Sequence, residues 1–315
     1  MTISPSNIPL ISAVTPVYNS EGSLDSLYQR LNASLTEICG ENFEIVMVDD
    51  RSIDSSWEKI QEICKRDSRV KGIELSRNFG QHYSITAGLS FSKGEWVVVL
   101  DCDLQDQPEE IAKLFSKAKH GFEIVFALRE SRQDSWIKKA YSRLFYLLLE
   151  FLTGFKFDHR VANFGLYHRK VINEFLKFKE HARAFPVLIG FLGFKKALIP
   201  VSHSDRSAGV TTYTFRKMVS LALDIIVFTS NRPLRLSIKV GFSIAVVSML
   251  YALYIFVRYF FHATPIPGWT SIIVSLFFLA GLILINLGLL GIYIGKIFDE
   301  SRNRPLFIVD QSINV

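Results

Sequence analysis

A chain of 315 residues can hold one large domain or two ordinary ones with a full-sized core. Its net charge of +6 comes without an Arg/Lys stripe interleaved with aromatics, which excludes a nucleic-acid partner; its basic residues instead flank apolar segments, a placement that suits phosphate or anionic lipid. Cys39, Cys64 and Cys102 have no metal-ligand spacing and predict a reducing compartment, and the opening MTISPSNIP predicts no signal peptide.

Leu10–Thr15 is a short apolar run followed by Pro16-Val17-Tyr18-Asn19 and then Glu21-Gly22, which predicts a strand, a turn and a helix over roughly Leu24–Ile38. Phe43–Val48 reads as a second strand, closed by Asp49-Asp50 and a Ser/Asp-rich turn in which Asp54 or Ser55 caps the next helix. Val70–Leu75 reads as a third, ending at Ser76-Arg77-Asn78-Phe79-Gly80, and a helix from about His82 to Phe91 leads to a fourth at Val97–Leu100. Such alternation makes βα units and a mostly parallel sheet. In a parallel sheet the strand ends share one edge. The polar residues there (Tyr18 and Asn19, Asp49 and Asp50, Arg77 and Asn78, Asp101 and Asp103) are therefore expected to converge.

The fourth strand breaks abruptly into Asp101, Asp103 and Asp106. Carboxylates this close repel unless a cation holds them, and hard ions such as Mg²⁺ or Mn²⁺ prefer carboxylate oxygens. A departing diphosphate is the group that needs such an ion. A solvated acidic turn is the plainer reading of the same residues.

A helix over Glu109–Lys119 and a strand over Glu123–Ala127 follow, and then Arg129 and Arg132, which offer charge for phosphates. Two amphipathic stretches, near 138–155 with Arg143 and near 213–229 after Arg206, suit either core helices or helices lying in a membrane interface. Leu236–Val257 carries one charge, Lys239, and Thr270–Ile294 carries none, so each is long and apolar enough to cross a bilayer. Arg232, Arg235 and Lys239 precede the first span and Lys296, Arg302 and Arg304 follow the second, which predicts a hairpin with both chain ends in the cytoplasm.

Taken together, these residues resemble the polyprenyl-phosphate glycosyltransferases of family 2. The motifs are Thr15-Pro16-Val17-Tyr18-Asn19-Ser20-Glu21, Val48-Asp49-Asp50, Leu75-Ser76-Arg77-Asn78-Phe79-Gly80 and Leu100-Asp101-Cys102-Asp103-Leu104-Gln105 with Pro108-Glu109. Later come Arg129-x-x-Arg132, Arg206-x-x-Gly209, Tyr213, Phe228-x-x-x-x-Pro233-Leu234-Arg235 and Arg304-Pro305-Leu306. The resemblance implies an α/β GT-A domain with a mostly parallel sheet over 1–232, interfacial helices, and a two-span anchor with a cytosolic tail over 233–315. A chain ended after Pro233 is then expected to keep a folded domain.

By the same resemblance, Pro16, Tyr18, Glu21 and Asp50 hold the nucleoside. Asp101 and Asp103 act through Mg²⁺ or Mn²⁺ on the donor diphosphate, and Gln105 positions the sugar. Arg129, Arg132, Arg143, Arg206 and Tyr213 serve the phosphates of donor and lipid. The implied reaction is inverting transfer of a hexose, with UDP-glucose the favoured donor, to undecaprenyl or another polyprenyl phosphate at the cytosolic face of a membrane, the bacterial inner membrane being the expected one. A second copy of the chain and a flippase are further candidate partners.

Two positions depart from the pattern: Asn163-Phe164-Gly165 where the family commonly has Asp-Phe-Arg, and Thr211-Thr212-Tyr213 where it has Ser-Lys-Tyr. They keep open an alternative, a catalytically silent nucleotide-sugar-binding membrane partner. A polysaccharide synthase extending a glycan is the other alternative, but the Q-x-x-R-W motif and extra spans it calls for are missing from the sequence.

Overall fold

The computed structural model describes residues 8–129, 150–152, 161–181, 183–202, 226, 230–262 and 268–315. Its strands are β1 Ile11–Val17, β2 Phe43–Asp49, β3 Val70–Leu75, β4 Trp96–Val99, β5 Ile124–Arg129, β6 Val161–His168, β7 Lys196–Val201 and β8 Val309–Ile313. Its helices are α1 Glu21–Cys39, α2 Ser56–Arg66, α3 Gln81–Phe91, α4 Ile111–Ala118, α5 Arg169–Leu176, α6 Phe185–Phe191, α7 Arg232–His262 and α8 Trp269–Ser301. The described residues fall into two compact units, one built from 8–129, 161–181, 183–202 and 304–315, the other from 150–152, 226, 230–262 and 268–303.

The first unit is a three-layer α/β body. Its single sheet has the order β7-β5-β6-β4-β1-β2-β3-β8. β1 pairs parallel with both β2 and β4, β2 with β3, and β5 with β7, whereas β6 and β8 run antiparallel to their neighbours. The central strands are apolar on both faces because helices cover both. Ile11, Ala13, Ile45 and Met47 pack with α1, α2 and α4, and Val14, Val46 and Val48 pack with α3, α5 and α6. α3 lies unusually close to the sheet. A Cβ on Gly88 would sit 2.4 Å from Val14 Cγ1 and 3.1 Å from Val48 Cγ2, so only glycine allows this approach.

At the edge where β1 to β4 begin, charged groups are buried and fully partnered. Lys71 Nζ meets Glu44 Oε2 at 2.6 Å, and the Ser12 hydroxyl donates to Glu44 Oε1 at 2.6 Å while accepting from Gly94 N at 2.7 Å. Arg169, entering α5, donates to the Gly94 carbonyl at 2.7 Å. This network ties the starts of three strands to the β4 turn.

The sequence reading stopped at the fifth strand and left 304–315 as a cytosolic tail after the two-span anchor. Residues 304–315 belong to the sheet unit, where β8 covers the free edge of β3. A chain ended after Pro233 would therefore lose a strand of this sheet as well as both long helices.

In the second unit, α7 and α8 have 31 and 33 residues, against roughly 20 needed to cross hydrocarbon. Their apolar side chains, Phe242, Met249, Phe277 and Leu284 among them, are exposed rather than packed into a protein core. Both helices are long and apolar enough to span a membrane, and they contain the two stretches read from sequence. The amphipathic stretches near 138–155 and 213–229 lie outside the described residues, apart from 150–152 and 226, which are helical.

Candidate functional site

Strand order places the site. β2 and β3 are laid down on one side of β1 and β4 on the other, so chain direction switches between β1 and β4, and a crevice opens beyond their carboxyl ends. Pro16 widens it. The β1–β4 ladder stops at Val14 opposite Val99, with the Leu100 N–H reaching the Val14 carbonyl at 3.2 Å. Two residues on, where the next donor toward β4 would be, proline has none. β4 therefore leaves the sheet as Asp101-Cys102-Asp103.

Each loop at this edge is stitched to the next. Asn19, in the left-handed region at φ +48°, donates its backbone N–H to the Ser52 hydroxyl at 3.0 Å and accepts from the Ile53 N–H at 2.9 Å through its side chain. The Ser20 N–H reaches Ser56 Oγ at 2.9 Å and the Glu21 N–H reaches Asp54 Oδ2 at 3.2 Å. Asp54 Oδ1 accepts from the Ser56 N–H at the start of α2, so of the two capping candidates it is Asp54 whose side chain engages. Asp49 is fully buried and accepts from the Ser52 N–H at 3.0 Å.

Asp50 is 3% exposed, and its two oxygens accept from the Phe79 N–H at 2.7 Å and the Gly80 N–H at 2.8 Å. Burial pushes the carboxyls of both Asp49 and Asp50 above their ordinary range, against the pull of these hydrogen bonds. Asp50 thus holds the loop after β3. Arg77 in that loop stacks over Phe79, 4.3 Å from the ring centroid, and Gly80 takes φ +103°, which a side chain would resist.

The acidic loop is anchored through its middle residue. Cys102 is buried, its thiol 3.1 Å from Ser20 Oγ, and its carbonyl accepts from Ser23 Oγ at 2.8 Å. Burial raises the thiol to about 11, so it stays protonated and unreactive at neutral pH. Asp101 and Asp103, on either side, are half-buried. Asp103 Oδ1 accepts from the Gln105 N–H at 3.1 Å, closing a turn in which Leu104 sits at φ +62°. A leucine there costs on the order of 1–2 kcal/mol, a strain typical of functional loops. Asp106 and Gln105 are buried beneath the loop, and Glu109 forms a two-pronged pair with Arg30 of α1 at 2.8 and 2.6 Å.

Among the residues read from sequence, Pro16, Tyr18, Glu21, Asp50, Asp101, Asp103 and Gln105 gather at this one edge. Tyr18 and Glu21 are exposed at its rim, and Gln105 is buried. Arg129 is the last residue of β5, opposite Val201. Arg132, Arg143, Arg206 and Tyr213 lie outside the described residues. The sequence reading missed Gln81, whose Nε2 donates to Asp101 Oδ1 at 2.7 Å. It named Asn163 only as a departure, whereas its Nδ2 lies 3.4 Å from the same oxygen. His82, next to Gln81, is held neutral, its pKa lowered to about 4 by burial.

Comparison with known proteins agrees with this geometry. The family described as "Glycosyl transferase family 2" matches residues 12–176, more than half of the chain. A Bacillus subtilis protein named "Uncharacterized glycosyltransferase YkcC" is 37% identical over 305 residues, 96% of this chain and 94% of its own. A Pseudomonas aeruginosa protein named "Undecaprenyl-phosphate 4-deoxy-4-formamido-L-arabinose transferase" is 35% identical over 314 residues, 99% of this chain and 92% of its own. Among solved structures, glucosyl-3-phosphoglycerate synthase from Mycobacterium tuberculosis, crystallised with Mn²⁺, UDP and phosphoglyceric acid, shares the fold at a TM-score of 0.50 and 15% identity, over 71% of this chain and 78% of its own. The family match starts in β1 and ends with α5, enclosing the four converging loops, and the relatives carry it across both long helices: the chain is a glycosyltransferase of the GT-A fold and belongs to glycosyl transferase family 2.

Proposed function

We propose that the chain moves a hexose from a nucleotide sugar to undecaprenyl phosphate, or a related polyprenyl phosphate, at the cytosolic face of a membrane. The observation that carries this reading is the pair Asp101 and Asp103, held at the switch point between β1 and β4 by the buried Cys102. A lipid acceptor is supported by the exposed apolar faces of α7 and α8 and by the name of the P. aeruginosa relative. Arg232, Arg235 and Lys239 in the first turns of α7, and Lys296, Arg302 and Arg304 around the end of α8, support a hairpin whose flanks face the cytoplasm.

Asp101 and Asp103 offer hard carboxylate oxygens, and among the described residues no group of three His, Cys, Asp or Glu side chains is placed to hold an ion. This donor set fits Mg²⁺ or Mn²⁺ shared with substrate phosphates rather than caged by protein. When bound, the ion neutralises charge on the departing diphosphate. Pro16, Tyr18 and Glu21 line the nucleoside side, and Asp50 serves it by fixing the Phe79-Gly80 loop. Gln105 supports the sugar's side of the acidic loop. Arg129, Arg132, Arg143 and Arg206, with Tyr213, gather the phosphates of donor and acceptor.

An oxygen of the lipid phosphate attacks the anomeric carbon in line. The bond from that carbon to the diphosphate oxygen breaks, its electron pair leaves with the nucleoside diphosphate, and the centre inverts. A phosphate monoester with a second pKa of ~6 is already largely dianionic at neutral pH, so no proton has to be removed and Asn163 is not required as a base. The test is a nucleotide-sugar panel, UDP-glucose first and a nucleotide-linked 4-deoxy-4-formamido-L-arabinose second, incubated with the full chain and undecaprenyl phosphate in detergent. Mass spectrometry should find a glycosylated lipid phosphate; donor binding with no product from any sugar would overturn transfer and favour a silent partner.

A further inference from the structure

We propose that Gln81 and Asn163 are positioning residues for the transfer reaction: their side-chain amides, from two separate elements, hold one oxygen of Asp101 and so set the direction in which its carboxylate meets the donor. This rests on the reading of Asp101 as a group that meets the donor's diphosphate and its ion.

The two amides arrive by independent routes. Gln81 is the first residue of α3. Its backbone is fixed from behind, because Asp50 accepts the Phe79 and Gly80 N–H groups just before it, and from below, because Gly88 lets α3 settle onto Val14 and Val48. Asn163 comes from β6. The β4–β6 ladder ends with Val99 facing Gly165, and just past that end the Asn163 amide, two residues before Gly165, reaches Asp101, two residues after Val99. A carboxylate can only accept, so both amides present nitrogen to it, Gln81 at 2.7 Å and Asn163 at 3.4 Å.

The consequence is orientation. A carboxylate at a loop tip turns about two side-chain torsions, and two donors on one oxygen remove that freedom before substrate arrives. Hydrogen bonds to an ionised group are among the strong ones, and groups standing behind a metal-facing carboxylate typically change ion affinity by about 10–100-fold when removed. The loop also becomes mechanically continuous. Asp50 on the β2 side and Asp101 on the β4 side are joined through three consecutive residues, Phe79, Gly80 and Gln81. Gln81 is exposed and packs into no core, so its replacement tests position without disturbing the fold.

The experiment uses the full chain in detergent, with Gln81→Met, Asn163→Ala, the double variant, and Asp101→Asn as control. Three quantities are read: thermal midpoint, Mn²⁺ affinity at saturating UDP from the electron paramagnetic resonance signal of free Mn²⁺, and kcat and KM for transfer. Gln81→Met should keep the thermal midpoint, weaken Mn²⁺ binding by about 10-fold and lower kcat, leaving KM for the lipid unchanged. Asn163→Ala should do the same more mildly, and the double variant should be worst. Wild-type Mn²⁺ affinity and kcat in the double variant, beside an inactive Asp101→Asn, would overturn the proposal alone. So would a lowered thermal midpoint with unchanged Mn²⁺ affinity. Wild-type binding and transfer in Asp101→Asn would instead overturn the reading of Asp101 on which the proposal stands.

Discussion

Arg51 and Asp310 are 259 positions apart in the chain and 2.8 Å apart in the fold. The same guanidinium nitrogen reaches Glu74 Oε1 at 3.0 Å, so one side chain joins the loop after β2 to β3 and to β8. Asn314 finishes the seam, its amide donating to the carbonyls of Cys64 and Val70, each at 2.9 Å.

Removing residues 309–315 should cost on the order of 3 kcal/mol, since a strand's ladder and the Asn314 bonds go together. In a body of this size that is about 6–12 °C in thermal midpoint. Arg51→Ala should cost less, about 1–2 kcal/mol: its pair with Asp310 is nearly half exposed on both sides, and most of the loss comes from leaving the buried Glu74 without its cation. Thermal unfolding of both variants in detergent checks the order; equal effects would mean that the ion pair, not the strand, holds the seam.

Asp50→Asn should be more damaging than its size suggests. Its two oxygens each accept a backbone N–H, and an amide can accept only one while turning its NH₂ toward the other. A loss of about 1–3 kcal/mol is expected from the unsatisfied group, together with a raised KM for the nucleotide sugar. A KM within twofold of wild type would separate this clamp from donor binding.

Asp103→Asn should lower transfer by more than about 100-fold, beyond the 10–100-fold typical of groups behind a ligand, with an unchanged thermal midpoint. Asn163→Asp should slow transfer rather than speed it, because a second carboxylate would replace the amide 3.4 Å from Asp101 Oδ1. A general base contributes about 10²–10⁴-fold, so a hundredfold gain in Asn163→Asp would show that the reaction does need proton removal. Initial rates at saturating donor decide both.

Glu44 predicts an acid-labile fold. Burial alone would raise its carboxyl, but the Lys71 ammonium, the Ser12 hydroxyl and the Lys93 N–H outweigh it and hold it below its ordinary value. A carboxyl depressed in the folded state stabilises above its unfolded pKa of ~4.3, and that stability is lost as pH falls through the folded value. Thermal midpoint should therefore drop steeply below about pH 4.5. Glu44→Gln should lose about 3–5 kcal/mol at neutral pH by stranding Lys71, and its midpoint should vary less between pH 5 and 3.5.

The first four strands were legible because a buried parallel strand is continuously apolar and must end where the chain meets water. Val97–Leu100 before Asp101 is the clearest case, and the predicted convergence of strand ends follows from direction alone. β6, β7 and β8 were not. Lys196–Val201 and Val309–Ile313 mix apolar with polar residues because each lies at a sheet edge with one side open. Asp50 shows the same limit within the site: its carboxylate was legible, but not that the Phe79 and Gly80 N–H groups would claim both oxygens. Asn163 needed the β4–β6 pairing, across more than sixty residues, and Gln81 needed the seating of α3 on the sheet; no local pattern encodes either.

The β8 strand also sets a schedule. β3 is complete at Leu75, yet the strand that covers it begins at Val309, so during synthesis its outer edge waits about 230 residues. At roughly 5–20 residues per second this is an interval of about ten to fifty seconds. For that interval an open strand edge persists while two long apolar helices are still being made, and such an edge is a template for wrong pairing. Synthesis of the two long helices and completion of the sheet are thus ordered in time: α7 and α8 must both emerge before the final strand can close the sheet.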